Sequence, residues 1–139
     1  MAKNSEKKIA KISAFLAGFL ATTSAFPHHS FVGEFDIKQE FEVLGTVTKV
    51  EWFNPHVWIY LDGGKTVDGN VAAKEAWQCE MGSPNMLLRA GWRKENLPEG
   101  SVIRVTGNPA RDGSNTCNAR FVTLDDANRT PVFSRGGSN

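Results

Sequence analysis

The sequence predicts an all-β domain: a small barrel of five strands with one short helix between the third and fourth. Three observations predict it. HVWIYL at residues 56–61 and EAWQCEM at 75–81 alternate apolar and polar residues with the period of two that a half-buried strand requires. Runs rich in β-branched and aromatic residues recur as FEVLGTVTKVEW, SVIRVTG and NARFVTL, and turn-forming residues lie between the segments. One helix signal, Ser83-Pro84 followed by NMLLRA and stopped by Gly91, interrupts the strands after the third.

The first strand is expected over Phe41 to Trp52, with Gly45 where it bulges or bends. Asn54-Pro55 breaks the chain before the second strand, in which Val57, Ile59 and Leu61 take one face and His56, Trp58 and Tyr60 the other. Asp62-Gly63-Gly64 through Gly69-Asn70 is turn-rich and reads as a loop or hairpin tip. The third strand sends Trp77, Cys79 and Met81 to one side and Gln78 and Glu80 to the other. Ser83 caps the helix and Pro84 occupies its first position. Pro98-Glu99-Gly100 then turns the chain into the fourth strand, where Ile103 and Val105 face a core. A loop containing Arg111-Asp112-Gly113-Ser114 leads into the fifth. Three strands, a helix and two strands is the order of an OB-type barrel, with a small sandwich or an open α+β sheet as the rival. Closure of such a barrel pairs the third strand with the fifth, which brings Cys79 towards Cys117.

The chain opens with Lys3, Lys7, Lys8 and Lys11, then runs without charge from Ile12 to Phe26 through Thr23-Ser24-Ala25. A basic start, a short apolar core and a small-residue ending form a secretory signal, and the core is too short for a good membrane span of about 20 residues. An uncleaved N-terminal anchor is the alternative. The expected organisation is a signal peptide over residues 1–25, an arm over 26–40, the barrel over 41–126 and a C-terminal tail over 127–139. Cleavage removes four of 16 basic and one of 15 acidic residues, leaving 12 against 14 and a net charge of −2. With the remaining Lys and Arg scattered, nucleic acid is not an expected partner. No later stretch is apolar enough to span a membrane, so the expected location is periplasmic or secreted. Two cysteines in an exported chain make a disulfide the first expectation, and two independent small residues the alternative.

Three histidines, His28, His29 and His56, are the whole imidazole complement, and neutral imidazole suits copper or zinc. An arm folded back beside His56 would assemble an open three-histidine site, with Asp36 or Glu80 orienting an imidazole from behind. Adjacent histidines on an extended segment point apart, so His28 and His29 share an ion only on a bent backbone; an ordinary surface pair is the plain alternative. Cleavage after Ala25 leaves Phe26-Pro27-His28. A planar amino-terminal copper site is excluded there, because Pro27 has no amide hydrogen to lose. A small-ligand site is the second candidate: Trp58 and Tyr60 share a face with His56, Trp52 and Phe53 lie nearby, and Glu80 and Asn85 supply polar groups. Trp77 and Trp92 are expected in the core. No nucleophile elbow, phosphate loop or carboxylate pair of defined spacing is visible.

The segments HHSFVGEFD, GTVTKVEWFNPHVWIY, EMGSPNMLLRAGW and GNPARDGSN…NAR resemble a family of short exported bacterial proteins known as a domain of unknown function. The resemblance runs through His28, His29, Ser30, Phe35 and Asp36, then Asn54, Pro55 and His56, then Glu80 to Asn85 and Trp92. It implies a single exported barrel-like domain and carries no activity. Cys79 and Cys117 stand outside its pattern. The functional expectation is a binding or accessory module holding a transition metal or small ligand near the histidines. The alternatives are an interaction module for a larger exported enzyme and a small lyase or hydrolase.

Overall fold

A computed structural model describes residues 31–134 of the 139-residue chain. The expected signal segment, His28 and His29 lie outside the described residues. After a four-residue helix α1 (Phe31–Glu34) come β1 (Phe41–Trp52), β2 (Val57–Val67), β3 (Asn70–Val71) and β4 (Glu75–Glu80). Helix α2 (Pro84–Arg89) and a 3-10 turn (Lys94–Asn96) lead to β5 (Val102–Pro109), β6 (Thr116–Leu124) and β7 (Pro131–Ser134). The five long strands close on themselves in the circuit β1–β5–β6–β4–β2–β1. β4 and β6 run parallel and every other pair is antiparallel. The protein is therefore mostly β, a closed five-stranded barrel carrying two additional strands, and its circuit is that of an OB-type barrel. Among the described residues no helix is long and apolar enough to cross a membrane.

Alternation decides what lies inside. On β2, Val57, Ile59 and Leu61 are buried while Trp58 and Tyr60 stay partly exposed, as the period of two requires. β1 contributes Val43, Val47 and Val50, and β5 and β6 contribute Ile103, Val105, Ala119 and Val122. Aromatic rings plug both ends of this core. Trp77 packs against Phe41 with Lys65 over both rings, and Trp92 lies between Trp52 and Phe133. The indole nitrogens of Trp77 and Trp92 are buried without a hydrogen-bond partner among the described residues, so ring contacts rather than hydrogen bonds hold these side chains.

Three details depart from the sequence expectation. The stretch 62–70 is not one loop: β2 continues to Val67, and the turn is confined to Asp68 and Gly69, both at positive φ. Gly63 and Gly64 mark a close approach rather than a turn. A β-carbon on Gly63 would lie 2.3 Å from the Leu44 carbonyl oxygen, so only glycine lets β1 and β2 cross there. Gly45 faces Gly63 in register, and the irregularity in β1 falls between Val47 and Lys49 instead of at Gly45. Finally, Pro131–Ser134, within the expected tail, pairs with β6 and places Phe133 in the core.

Cys79 and Cys117 are bonded in register across the parallel β4–β6 pair, both completely buried. Denatured, unreduced protein should titrate no free thiol, and replacing both cysteines by alanine should cost about 3–4 kcal/mol in denaturant unfolding, the loop-closure contribution of a bridge with this separation. Two titratable thiols would remove the bridge. Gly63→Ala should lower stability by about 1–3 kcal/mol, the usual cost of overpacking; an unchanged melting temperature would contradict the close approach.

Candidate functional site

The outer face of β2, β4 and β6 presents its side chains in rows set by strand register. Trp58 pairs with Glu80, which pairs with Asn118; one step along, Tyr60 pairs with Gln78, which pairs with Thr116. Glu80 is the unusual member, a carboxylate only 7% exposed. A buried carboxylate needs partners to offset lost hydration. One is His56, whose Nδ1 contacts Glu80 Oε1; the other is Asn118, whose amide donates to Glu80 Oε2 at 3.5 Å. His56 itself is exposed, just after the cis Asn54–Pro55 bond in the turn between β1 and β2. Holding Nδ1 against a carboxylate directs ligand chemistry to Nε2.

Two further walls complete a groove of about 730 Å³ above this row. The first is the loop between β5 and β6. Its Asp112 accepts from the Ser114 amide at 2.9 Å, and the Ser114 hydroxyl donates to Thr116 Oγ1 at 3.0 Å. Contacts with the Ser114 side chain and then its amide hold the Asp112 carboxyl below the usual aspartate range. The second wall is the arm, where Gly33, Glu34 and Phe35 line the groove. Phe35 bridges to Ala110, Asp36 N donates to the Pro109 carbonyl at 2.9 Å, and Arg111 N donates to the Glu34 carbonyl at 2.8 Å. The Arg111 side chain reinforces this, with Nε donating to the Val32 carbonyl at 2.9 Å and Nη2 lying 3.5 Å from Asp36 Oδ1.

Of the expected site residues, His56, Trp58 and Glu80 meet in this groove. The other aromatic neighbours do not converge with them. The Tyr60 hydroxyl donates to Glu51 Oε2 at 2.9 Å, and burial followed by that bond pushes its pKa up. Trp52 stacks on Trp92, and Phe53 is 68% exposed in the turn. Asn85 is exposed in the first turn of α2, away from the groove lining. His28 and His29 lie outside the described residues, among which no three His, Cys, Asp or Glu side chains gather as metal ligands. Asp36 steadies the arm through Arg111, while Glu80 is the carboxylate that engages an imidazole. Sequence reasoning overlooked Asn118, Thr116 and Arg111 as site residues. Their signal was the turn-rich GNPARDGSN segment before the fifth strand, which shows where a loop lies but not that it faces β4.

Residues 18–119 match the model of a family of unknown function (DUF6152). The chain belongs to this family. No curated protein and no solved structure matches it. The span matched to DUF6152 contains the arm, the turn bearing His56, β4 and the β5–β6 loop, and ends at Ala119, so the whole groove falls inside it while β7 falls outside.

The lowered pKa of Asp112 makes stability depend on pH in one direction. A lowered folded-state pKa contributes stability above the ordinary aspartate range, and that stability is lost as pH falls through the depressed value. The amide proton shift of Ser114 should therefore titrate with a midpoint below that of an ordinary aspartate, and the titration should vanish in Asp112→Ala. A midpoint at or above the ordinary value would show that the turn does not hold the carboxylate.

Proposed function

We propose that this chain is an exported, periplasmic or secreted, binding module whose groove at His56 holds a transition metal, copper or zinc, or a small ligand. One observation carries it: His56, exposed at the groove, is backed at Nδ1 by the buried carboxylate of Glu80. A carboxylate behind an imidazole fixes its tautomer and orients the opposite nitrogen towards the groove, the arrangement found behind most metal-ligating histidines. The buried disulfide suits an oxidising compartment, as does the basic and then apolar N-terminus.

A second reading, docking to a larger exported enzyme, draws on Phe53, the most exposed large apolar side chain among the described residues, with Met86 and Leu88 also exposed on α2. Copper or zinc added to the purified protein should raise its melting temperature, and elemental analysis should find about one ion per chain. His56→Ala should abolish both effects. Glu80→Gln should weaken binding by about 10–100-fold, the usual effect of losing a carboxylate behind a ligating histidine. Affinity should fall in acid, where protons compete for the ligand nitrogens. Absence of any bound ion together with an unmoved melting temperature would end the metal reading.

A further inference from the structure

Away from its His56 corner the groove has a different chemistry. One wall is the partly exposed indole of Trp58. Beside it Gln78 Nε2 donates to Thr116 Oγ1 at 3.1 Å, the Ser114 hydroxyl donates to the same oxygen at 3.0 Å, and Ser114 N donates to Asp112 at 2.9 Å. These side chains are held by one another, so donors and acceptors are set in place before any ligand arrives, which lowers the ordering cost of binding.

Two classes of ligand fit this lining poorly. An anion meets the carboxylates of Glu34, Glu80 and Asp112, while the guanidinium of Arg111 is already beside Asp36. A purely apolar molecule would strip water from the Gln78, Ser114 and Asp112 groups and return no hydrogen bonds. What suits both walls is a neutral molecule with a C–H face for the indole and a rim of hydroxyls for the polar row. The volume of about 730 Å³ lies within the range of pockets that hold drug-sized ligands.

We propose that the groove binds a neutral oligosaccharide, one sugar ring stacked on Trp58 and its hydroxyls held by Gln78, Ser114 and Asp112. The proposal rests on the groove being a ligand site and is independent of any metal at His56. The full chain, with EDTA and then with zinc, is titrated calorimetrically with maltotriose, cellotriose and chitotriose, and with trigalacturonate as the anionic counterpart. At least one neutral trisaccharide should bind in EDTA, and trigalacturonate should bind more weakly. Trp58→Ala should weaken that binding by about tenfold or more, as loss of an aromatic anchor does. Gln78→Ala should weaken it less. Both side chains lie outside the core, and an unchanged melting temperature would show that each variant folds. Three outcomes overturn the proposal: no neutral trisaccharide binding at millimolar concentration, equal or tighter binding of trigalacturonate, or binding that both variants leave intact. If zinc raises the melting temperature through His56 while no neutral sugar binds, only the saccharide assignment falls. If neither zinc nor any sugar binds, the ligand-site reading falls with it.

Discussion

The short parallel seam between β4 and β6 is the joint on which both the barrel and its groove depend. It is only three residue pairs long, Gln78 to Glu80 against Thr116 to Asn118. A typical intramolecular hydrogen bond contributes about 1 kcal/mol net, so a ladder this short closes a barrel weakly by itself. The Cys79–Cys117 bridge in its middle contributes about 3–4 kcal/mol by restricting the unfolded chain, more than any single bond of the ladder. Covalent chemistry thus secures the point where the circuit has least pairing.

The same seam assigns inside and outside. Cysteine faces the core, and the residues on either side of it, Gln78 and Glu80 on one strand and Thr116 and Asn118 on the other, lie on the opposite face, where Gln78 is exposed and Glu80 and Asn118 are covered. A slip of one residue would turn these polar side chains into the core and the bridge out of it, so burial of the disulfide locks the register that brings Glu80 to Asn118. His56 then finds its carboxylate because β2 starts beside the end of β4, with the Met81 amide donating to Val57 and the Val57 amide to Gly82. The core and the groove are two faces of one arrangement of strands.

The parts that local patterning controls were legible in the sequence. Alternation in HVWIYL and EAWQCEM placed Val57, Ile59 and Leu61 inside, and put Gln78 and Glu80 on the face opposite Trp77 and Cys79. Trp77 and Trp92 are core residues, as their context suggested. Gly63-Gly64 misled because glycine serves tight turns and close strand crossings alike, and only the three-dimensional approach of Leu44 separates the two. β7 was hidden by its brevity and by Pro131, a residue that reads as a breaker but is tolerated at the start of an edge strand. The groove needs contacts among residues 33–36, 56–58, 78–80 and 110–118, and no local pattern encodes such distances. Its position was legible only through His56, Trp58 and Glu80.

The arm is attached in a way that separates it from the barrel. It meets the β5–β6 loop chiefly through its own main chain: the Val32 and Glu34 carbonyls and the Asp36 amide, with the Phe35 ring as its buried anchor. Backbone attachment is indifferent to most side chains, so residues along this wall can be exchanged without disturbing the strands beneath. The frame of the groove and the surface of this wall are consequently set by different residues. A barrel fixed by its disulfide and its glycine crossing therefore carries one wall whose outer surface its frame does not dictate.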